Sequence, residues 1–353
     1  MLTLVIVMLA FATVALPSHF VALLANGNVV RAEVSDETLR TTATLFRGDP
    51  PASGCRPSIA LGPKLIFVVV NIRGKSYVMA TDGRAATEVS RWPIGMERAC
   101  INYDSRHQRL IVTGITDDGS VNIRHFSIEG RLLMVGVVRP GNGRDWTPLA
   151  TALSADGTRL AISYHGSDTT GFDLVSLSAN SIRRTTNKPL PGHGGVWWQG
   201  DHLIGTTGTE VIVRYDWDGK ILGGWKSGLT SSHVMQMDID RVTGTMLVVA
   251  SCSWSGGLAE ISSKQPMASA RYDSGSGKWI LSEPGGRAKR HAGLCGDFVR
   301  RIDSQHVAVI ATNTPVPQVQ EMASVTVLNH EGAVVGKGRI TDPIDLSFLP
   351  SGN

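Results

Sequence analysis

The chain has 353 residues, 39 of them glycine, with 42% hydrophobic and 18% charged residues and a formal net charge of +4. A chain of this length buries a sizeable core without staples, and its glycine, β-branched residues and lack of long helical patterns favour strands and tight turns. Positive charge is scattered apart from Arg287-Ala288-Lys289-Arg290-His291, read as a solvated loop; with no basic stripe carrying stacking aromatics, nucleic acid is set aside as a partner.

Residues 2–16 (LTLVIVMLAFATVAL) are apolar and uncharged, which suits the core of a secretory signal, with Thr13-Val14-Ala15 as a small-residue cleavage site. Pro17 breaks any helix just beyond it. Residues 1–17 are therefore read as a signal peptide or an N-terminal anchor, with a buried first strand as the bland alternative. The run is short for a bilayer core of about 30 Å, so the mature chain, residues 18–353, is expected to carry no membrane span. Secretion or periplasmic delivery follows as the expected localisation, with a monomer as the expected working form.

The next elements come in repeats. His19–Ala25 and Asn28–Val34 read as second and third strands lacking a first. Then come 58–61, 65–70 and 76–80, ending at the Asp82-Gly83 turn, and 101–105, 109–112 and 120–127, ending at Glu129-Gly130. The clearest unit is Leu153-Ser154-Ala155-Asp156-Gly157-Thr158-Arg159-Leu160-Ala161-Ile162-Ser163, read as strand, type I′ Asp-Gly turn and strand. Similar units follow at 196–215, 235–261 and 298–328, with a Gly/Ser-rich insertion over Lys264–Arg290. Residues 344–352 read as a first strand and its turn, lacking a second.

Corresponding turns fall near Ser35, Asp82, Glu129, Ser178, Asp218, Ser262 and Glu331, about 40 to 50 residues apart, the length of a four-stranded blade. The expectation is an all-β, seven-bladed β-propeller in a single domain, with N- and C-terminal strands sharing one blade and hiding its edges. The segment Leu153–Ala161 resembles the L-S-P-D-G-x-x-L-A signature of the WD40-like, TolB and YVTN-type β-propellers, with Ala155 in place of proline and no Trp-Asp dipeptide at the repeat ends. That resemblance implies the fold and leaves activity open, because propellers host many functions.

Loops leading into the innermost strands converge at the mouth of a propeller's channel. In this register they carry Cys55-Arg56, Glu97-Arg98, Arg144-Asp145, His193, His233, Arg290-His291 and Asp342. His193, His233 and His291, with Asp342 or Asp145 as carboxylate, would form a site for zinc or a similar divalent ion. Such a metal would polarise a carbonyl or activate water in a hydrolase or lyase, while metal-free chemistry would pair a histidine base with Arg144. The weighed alternative is that these histidines only satisfy loop carbonyls. Arg56, Arg98, Trp146 and Arg290 are the candidates for ligand binding, with stacking on Trp146 or Trp254 weighed against core packing.

Of Trp197 and Trp198, neighbours on one strand, one should pack between blades while the other reaches the next layer. No C-x-x-C pair is present among the four cysteines. The register favours bridges Cys55–Cys100 and Cys252–Cys295, with buried free thiols as the alternative. Elbow, zincin, Walker, dinucleotide and EF-hand signatures are missing. The leading functional expectation is thus an exported recognition module for a protein, peptide or glycan; the alternative is the metal-dependent hydrolase or lyase.

Overall fold

The computed structural model describes residues 19–35, 38–51, 55–82, 87–139, 147–166, 170–186, 190–207, 209–229, 236–239, 243–250, 257–276, 278–282, 286, 288–291, 298–301, 306–311, 322–329, 334–341 and 343–348. In chain order the strands begin with β1 (His19–Leu24), β2 (Val29–Ser35) and β3 (Thr38–Phe46). Then come β4 (Ile59–Leu61), β5 (Ile66–Ile72), β6 (Lys75–Asp82) and β7 (Thr87–Pro93), followed by β8 (Glu97–Asp104), β9 (Arg109–Ile115), β10 (Val121–Ser127) and β11 (Leu132–Arg139). The middle holds β12 (Thr147–Leu153), β13 (Arg159–His165), β14 (Thr170–Leu177) and β15 (Ile182–Arg184), then β16 (Val196–Gln199), β17 (His202–Thr206), β18 (Val211–Tyr215) and β19 (Ile221–Lys226). Beyond these lie β20 (Gln236–Ile239), β21 (Thr245–Ala250), β22 (Gly257–Ser262), β23 (Ser269–Asp273), β24 (Lys278–Ser282) and β25 (Lys289–His291). The last are β26 (Phe298–Arg301), β27 (His306–Ala311), β28 (Met322–Asn329), β29 (Val334–Thr341) and β30 (Pro343–Phe348).

These strands form an all-β propeller. Among the described residues there are seven four-stranded antiparallel sheets and one two-stranded ribbon, β23–β24. Innermost strands touch in the order β30, β4, β8, β12, β16, β20 and β26, and the outer strands β29 and β3 bring the last sheet back to the first. The first sheet runs β3-β2-β1-β30. Ala22 pairs with Leu346, so the C-terminal strand is its innermost member. The two incomplete halves expected at the chain ends are therefore one sheet.

Packing between sheets follows from strand alternation. Ile101, Leu110 and Val112 of one sheet meet Ala60, Phe67 and Val78 of its neighbour in a buried cluster. Trp198 is buried, and its indole N–H donates to Ala152 O at 3.0 Å across the sheet boundary; Trp197 is half-buried against another cluster. The expected division of labour between the adjacent tryptophans holds.

Two local readings are corrected. In the Ser154–Arg159 hairpin only Gly157 has positive φ (72°), so the turn is not type I′. Gly157 N–H donates to Ser154 O and Ser154 N–H to Arg159 O, the longer hairpin in which a left-handed glycine ends the turn. The stretch 264–290, read as a Gly/Ser-rich insertion between repeats, contains the β23–β24 ribbon and begins β25. The ribbon lies on the outer strand of the preceding sheet, where Gly224 and Ala268 exchange backbone bonds and Trp279 meets Tyr215 edge-on.

Candidate functional site

On an innermost strand alternate residues face the two neighbouring sheets, and the strand's free edge faces the axis. In β8, Ile101 is fully buried in the core, while Asn102 donates its amide to Thr151 Oγ1 of β12 at 2.7 Å. Two inner strands share an acidic-aliphatic pair. Asp238 accepts the Ile239 N–H at 2.8 Å and Asp345 accepts the Leu346 N–H at 3.0 Å. Asp345 also spans the seam, accepting Ser58 N–H at 2.7 Å and Ile59 N–H at 3.2 Å.

The segment leading into β4 does more than flank the channel. Pro57 O accepts Ile101 N–H at 2.7 Å, Arg56 N–H donates to Leu149 O at 3.1 Å, and Thr151 N–H donates to Arg56 O at 2.9 Å. Residues 56–57 thus bond to the free inner edges of β8 and β12. The Cys55–Cys100 disulfide, with Cα atoms 5.3 Å apart, pins the segment there, so one of the two expected bridges is present. Cys252 and Cys295 lie outside the described residues.

Beside this segment lies a chamber of about 250 Å³. Arg56 and Asn102 line one side, Trp197, Gln236 and Asp238 the other, and Thr151 and Ser154 the wall of β12. Small ligand sites usually fall between about 300 and 1,000 Å³, so this chamber is small, with room for about one sugar ring or one large side chain.

The other expected site residues scatter. Arg98, at a left-handed φ of 48°, donates to Thr147 Oγ1 at 2.7 Å and braces β8 against β12. His193 leads into β16, donates its N–H to Thr206 O at 2.9 Å, and stacks on His165 with ring centroids 5.6 Å apart. Burial, then the His165 imidazole, holds its pKa below the usual histidine value. Arg290 and His291 are corrected: they belong to β25, the outermost strand of their sheet, and not to a loop leading into an inner strand. His291 Nε2 instead meets Glu260 Oε2 at 3.2 Å on the adjacent strand. The same finding turns part of the basic cluster, Lys289–His291, from loop into strand. Arg144, Asp145, Trp146, His233, Trp254 and Asp342 lie outside the described residues. Among the described residues no three His, Cys, Asp or Glu side chains gather closely enough to hold a metal ion.

A charged cluster beside the chamber was not foreseen. Asp104 accepts from His107 Nδ1 at 2.7 Å and Arg109 Nε at 2.9 Å, and Arg109 also reaches His125 Nδ1 at 3.1 Å. His125 is 1% exposed; burial first, then the Arg109 guanidinium, lowers its pKa to about 4. The cluster ties a first hairpin to the neighbouring turn at Gly157.

No protein-family model and no curated protein matches the chain. Solved structures do. A Lactobacillus plantarum protein superposes over 94% of this chain and 99% of its own, at 15% identity and a TM-score of 0.64. A Bacteroides uniformis protein provisionally named a 6-phosphogluconolactonase covers 94% and 100%, at 9% identity and 0.62. A Desulfotomaculum acetoxidans protein of unknown function covers 92% and 99%, at 11% identity and 0.60. The chain has the propeller fold. Likeness at these identities concerns the fold alone, in keeping with the WD40-like and TolB-type resemblance in sequence.

Proposed function

We propose that this chain is an exported recognition module, a seven-bladed propeller with one four-stranded sheet per blade, which captures the end of a protein, peptide or glycan in its channel. The observation that carries the reading is the chamber beside Arg56, Asn102, Trp197, Gln236 and Asp238. An aromatic face, two amides, a carboxylate and a guanidinium converge on a space sized for one residue, which is the usual make-up of a specific polar pocket. Export is supported by the apolar, uncharged residues 2–16 and by a disulfide, which persists in oxidising compartments. Among the described residues no helix is long and apolar enough to cross a membrane.

The hydrolase or lyase alternative requires His291 beside His193, and β25 carries His291 on an outer strand. Metal content of the purified protein, repeated on His233→Ala, decides between the two readings. Bound metal lost with that substitution would favour the enzyme. The recognition reading is tested by screening glycan and peptide arrays with the wild type and with Trp197→Ala/Asp238→Asn. Ligands held by the wild type and lost by the folded double variant are expected. Ligands held equally by both would overturn the chamber as the site.

A further inference from the structure

The polar groups that line the chamber fall into two kinds, charged ones already answered inside the chain and neutral ones with capacity to spare. Asp104 accepts from His107 Nδ1 at 2.7 Å and from Arg109 Nε at 2.9 Å. Asp238, 8% exposed, accepts the Ile239 N–H, and neither Asp238 nor Arg56 lacks a further partner. The neutral groups differ. Gln236 and Ser105 make no side-chain hydrogen bond among the described residues. Asn102 gives one amide hydrogen to Thr151 Oγ1, and its carbonyl oxygen accepts none among the described residues. Amides and hydroxyls both donate and accept, so a molecule made of hydroxyls matches them. An ion does not, because it would enter a small chamber whose charges are already paired, and burying an unpaired charge is costly.

We propose that the chamber holds one neutral sugar ring, the terminal residue of an uncharged glycan. This assignment rests on the recognition reading above and narrows its ligand to one class. The volume of about 250 Å³ has room for one ring, and Trp197 lines it beside Asn102 and Gln236. An aromatic side chain suits the C–H face of a sugar, while a few placed amides suit its hydroxyl rim. Two observations count against a peptide. Its ends carry an ammonium or a carboxylate, for which the chamber offers no unanswered counter-charge. A peptide that docks as an added strand also needs a free backbone edge, and on this side Arg56 and Pro57 have taken those of β8 and β12 through Ile101 N–H, Leu149 O and Thr151 N–H. The Cys55–Cys100 bridge holds that segment in place.

A monosaccharide of about a dozen non-hydrogen atoms, at the efficiency of ordinary ligands, binds in roughly the millimolar range. Ligand-observed nuclear magnetic resonance on the full chain measures this. The probes are methyl glycosides of glucose, galactose, mannose and N-acetylglucosamine, set against glucuronate, glucosamine and short peptides. At least one neutral glycoside should bind with a Kd near about 1 mM, and the charged sugars at least about tenfold more weakly. Gln236→Ala should weaken that glycoside about tenfold by removing its hydrogen bonds. Asn180→Ala, in the exposed turn between β14 and β15, is the control and should bind as the wild type does. Circular dichroism and thermal midpoints establish that the variants are folded; should Gln236→Ala fail to fold, Gln236→Glu, of the same shape but without the amide donors, takes its place with a similar loss expected. Peptides or charged sugars that bind through Gln236 while the neutral glycosides do not would overturn the sugar assignment and leave the recognition reading standing. Glycoside binding that is equal in the wild type and the Gln236 variant, or binding by none of the probes, would overturn both.

Discussion

Asp345 offers the sharpest prediction, because one carboxylate holds the seam between the first and second sheets. Its Oδ2 accepts the N–H groups of Ser58 and Ile59 at 2.7 and 3.2 Å, and its Oδ1 the Leu346 N–H at 3.0 Å, with the residue 1% exposed. Asp345→Ala removes the acceptor and leaves buried donors without a partner. Hydrogen bonds to a charged group contribute about 1.5–3 kcal/mol each and an orphaned buried donor costs about 1–3 kcal/mol. These overlap and are not additive, so about 3–5 kcal/mol is expected. Asp345→Asn keeps one carbonyl acceptor and should cost about 1–2 kcal/mol, since it loses the charge and the second acceptor. Urea unfolding followed by far-ultraviolet circular dichroism measures both. Amide exchange at Ser58 and Ile59 should accelerate in the alanine variant beyond the global loss. An alanine cost below about 1 kcal/mol, the worth of an ordinary neutral bond, would refute the latch.

Three further outcomes follow from the same structure. His125 stays neutral in the fold down to about pH 4, whereas its ordinary value is 6.5. Below 6.5 the unfolded chain takes the proton first, so stability is full above that pH and falls towards pH 4 by about 1.4 kcal/mol per unit. His125→Gln should flatten that part of the urea-midpoint profile. Opening Cys55–Cys100, a link of sequence separation 45, by Cys55→Ser/Cys100→Ser should cost about 4 kcal/mol on the loop-closure account. It should also weaken any chamber ligand by freeing the segment at Arg56. Gly157 has φ 72°, and a Cβ there would run into the Asp104 carboxylate; Gly157→Ala should therefore lower the thermal midpoint and raise the depressed pKa of His125, read by nuclear magnetic resonance.

Much of the architecture was legible because propeller strands announce themselves by alternation and turns. The incomplete halves at His19–Ala25 and Ile344–Leu349 pointed to shared closure, which the Ala22–Leu346 pairing realises. The ribbon was missed because Ser and Gly dominate residues 274–277, although Ala270 and Tyr272 against Trp279 and Leu281 alternate as a hairpin should. Without the ribbon, Arg290 and His291 read as a loop leading into the next inner strand, whereas they form the outermost strand of the sheet before it. The chamber was only half visible. Arg56 was placed near the axis, but its bonds to β12, almost a hundred residues on, depend on where the ring curves. Asn102, Gln236 and Asp238 look like ordinary polar residues in sequence, and only the packing of neighbouring sheets brings them to one chamber. The Asp104–Arg109–His125 cluster is similar: its three residues are spread over two strands of one hairpin and its neighbour, and only the pairing of β9 with β8 and β10 joins them.

The geometry of the chamber depends on the ring being closed by the chain's own last strand. Stopping the chain after residue 342, against a control stopped after residue 348, tests this by thermal unfolding. Closure predicts that the control melts cooperatively like the full chain, whereas the shorter chain loses its cooperative transition. A chain ending at 342 that melts within about 1 °C of the full one, less than the roughly 1.4 °C that 1 kcal/mol produces in a cooperative unit this long, would contradict it.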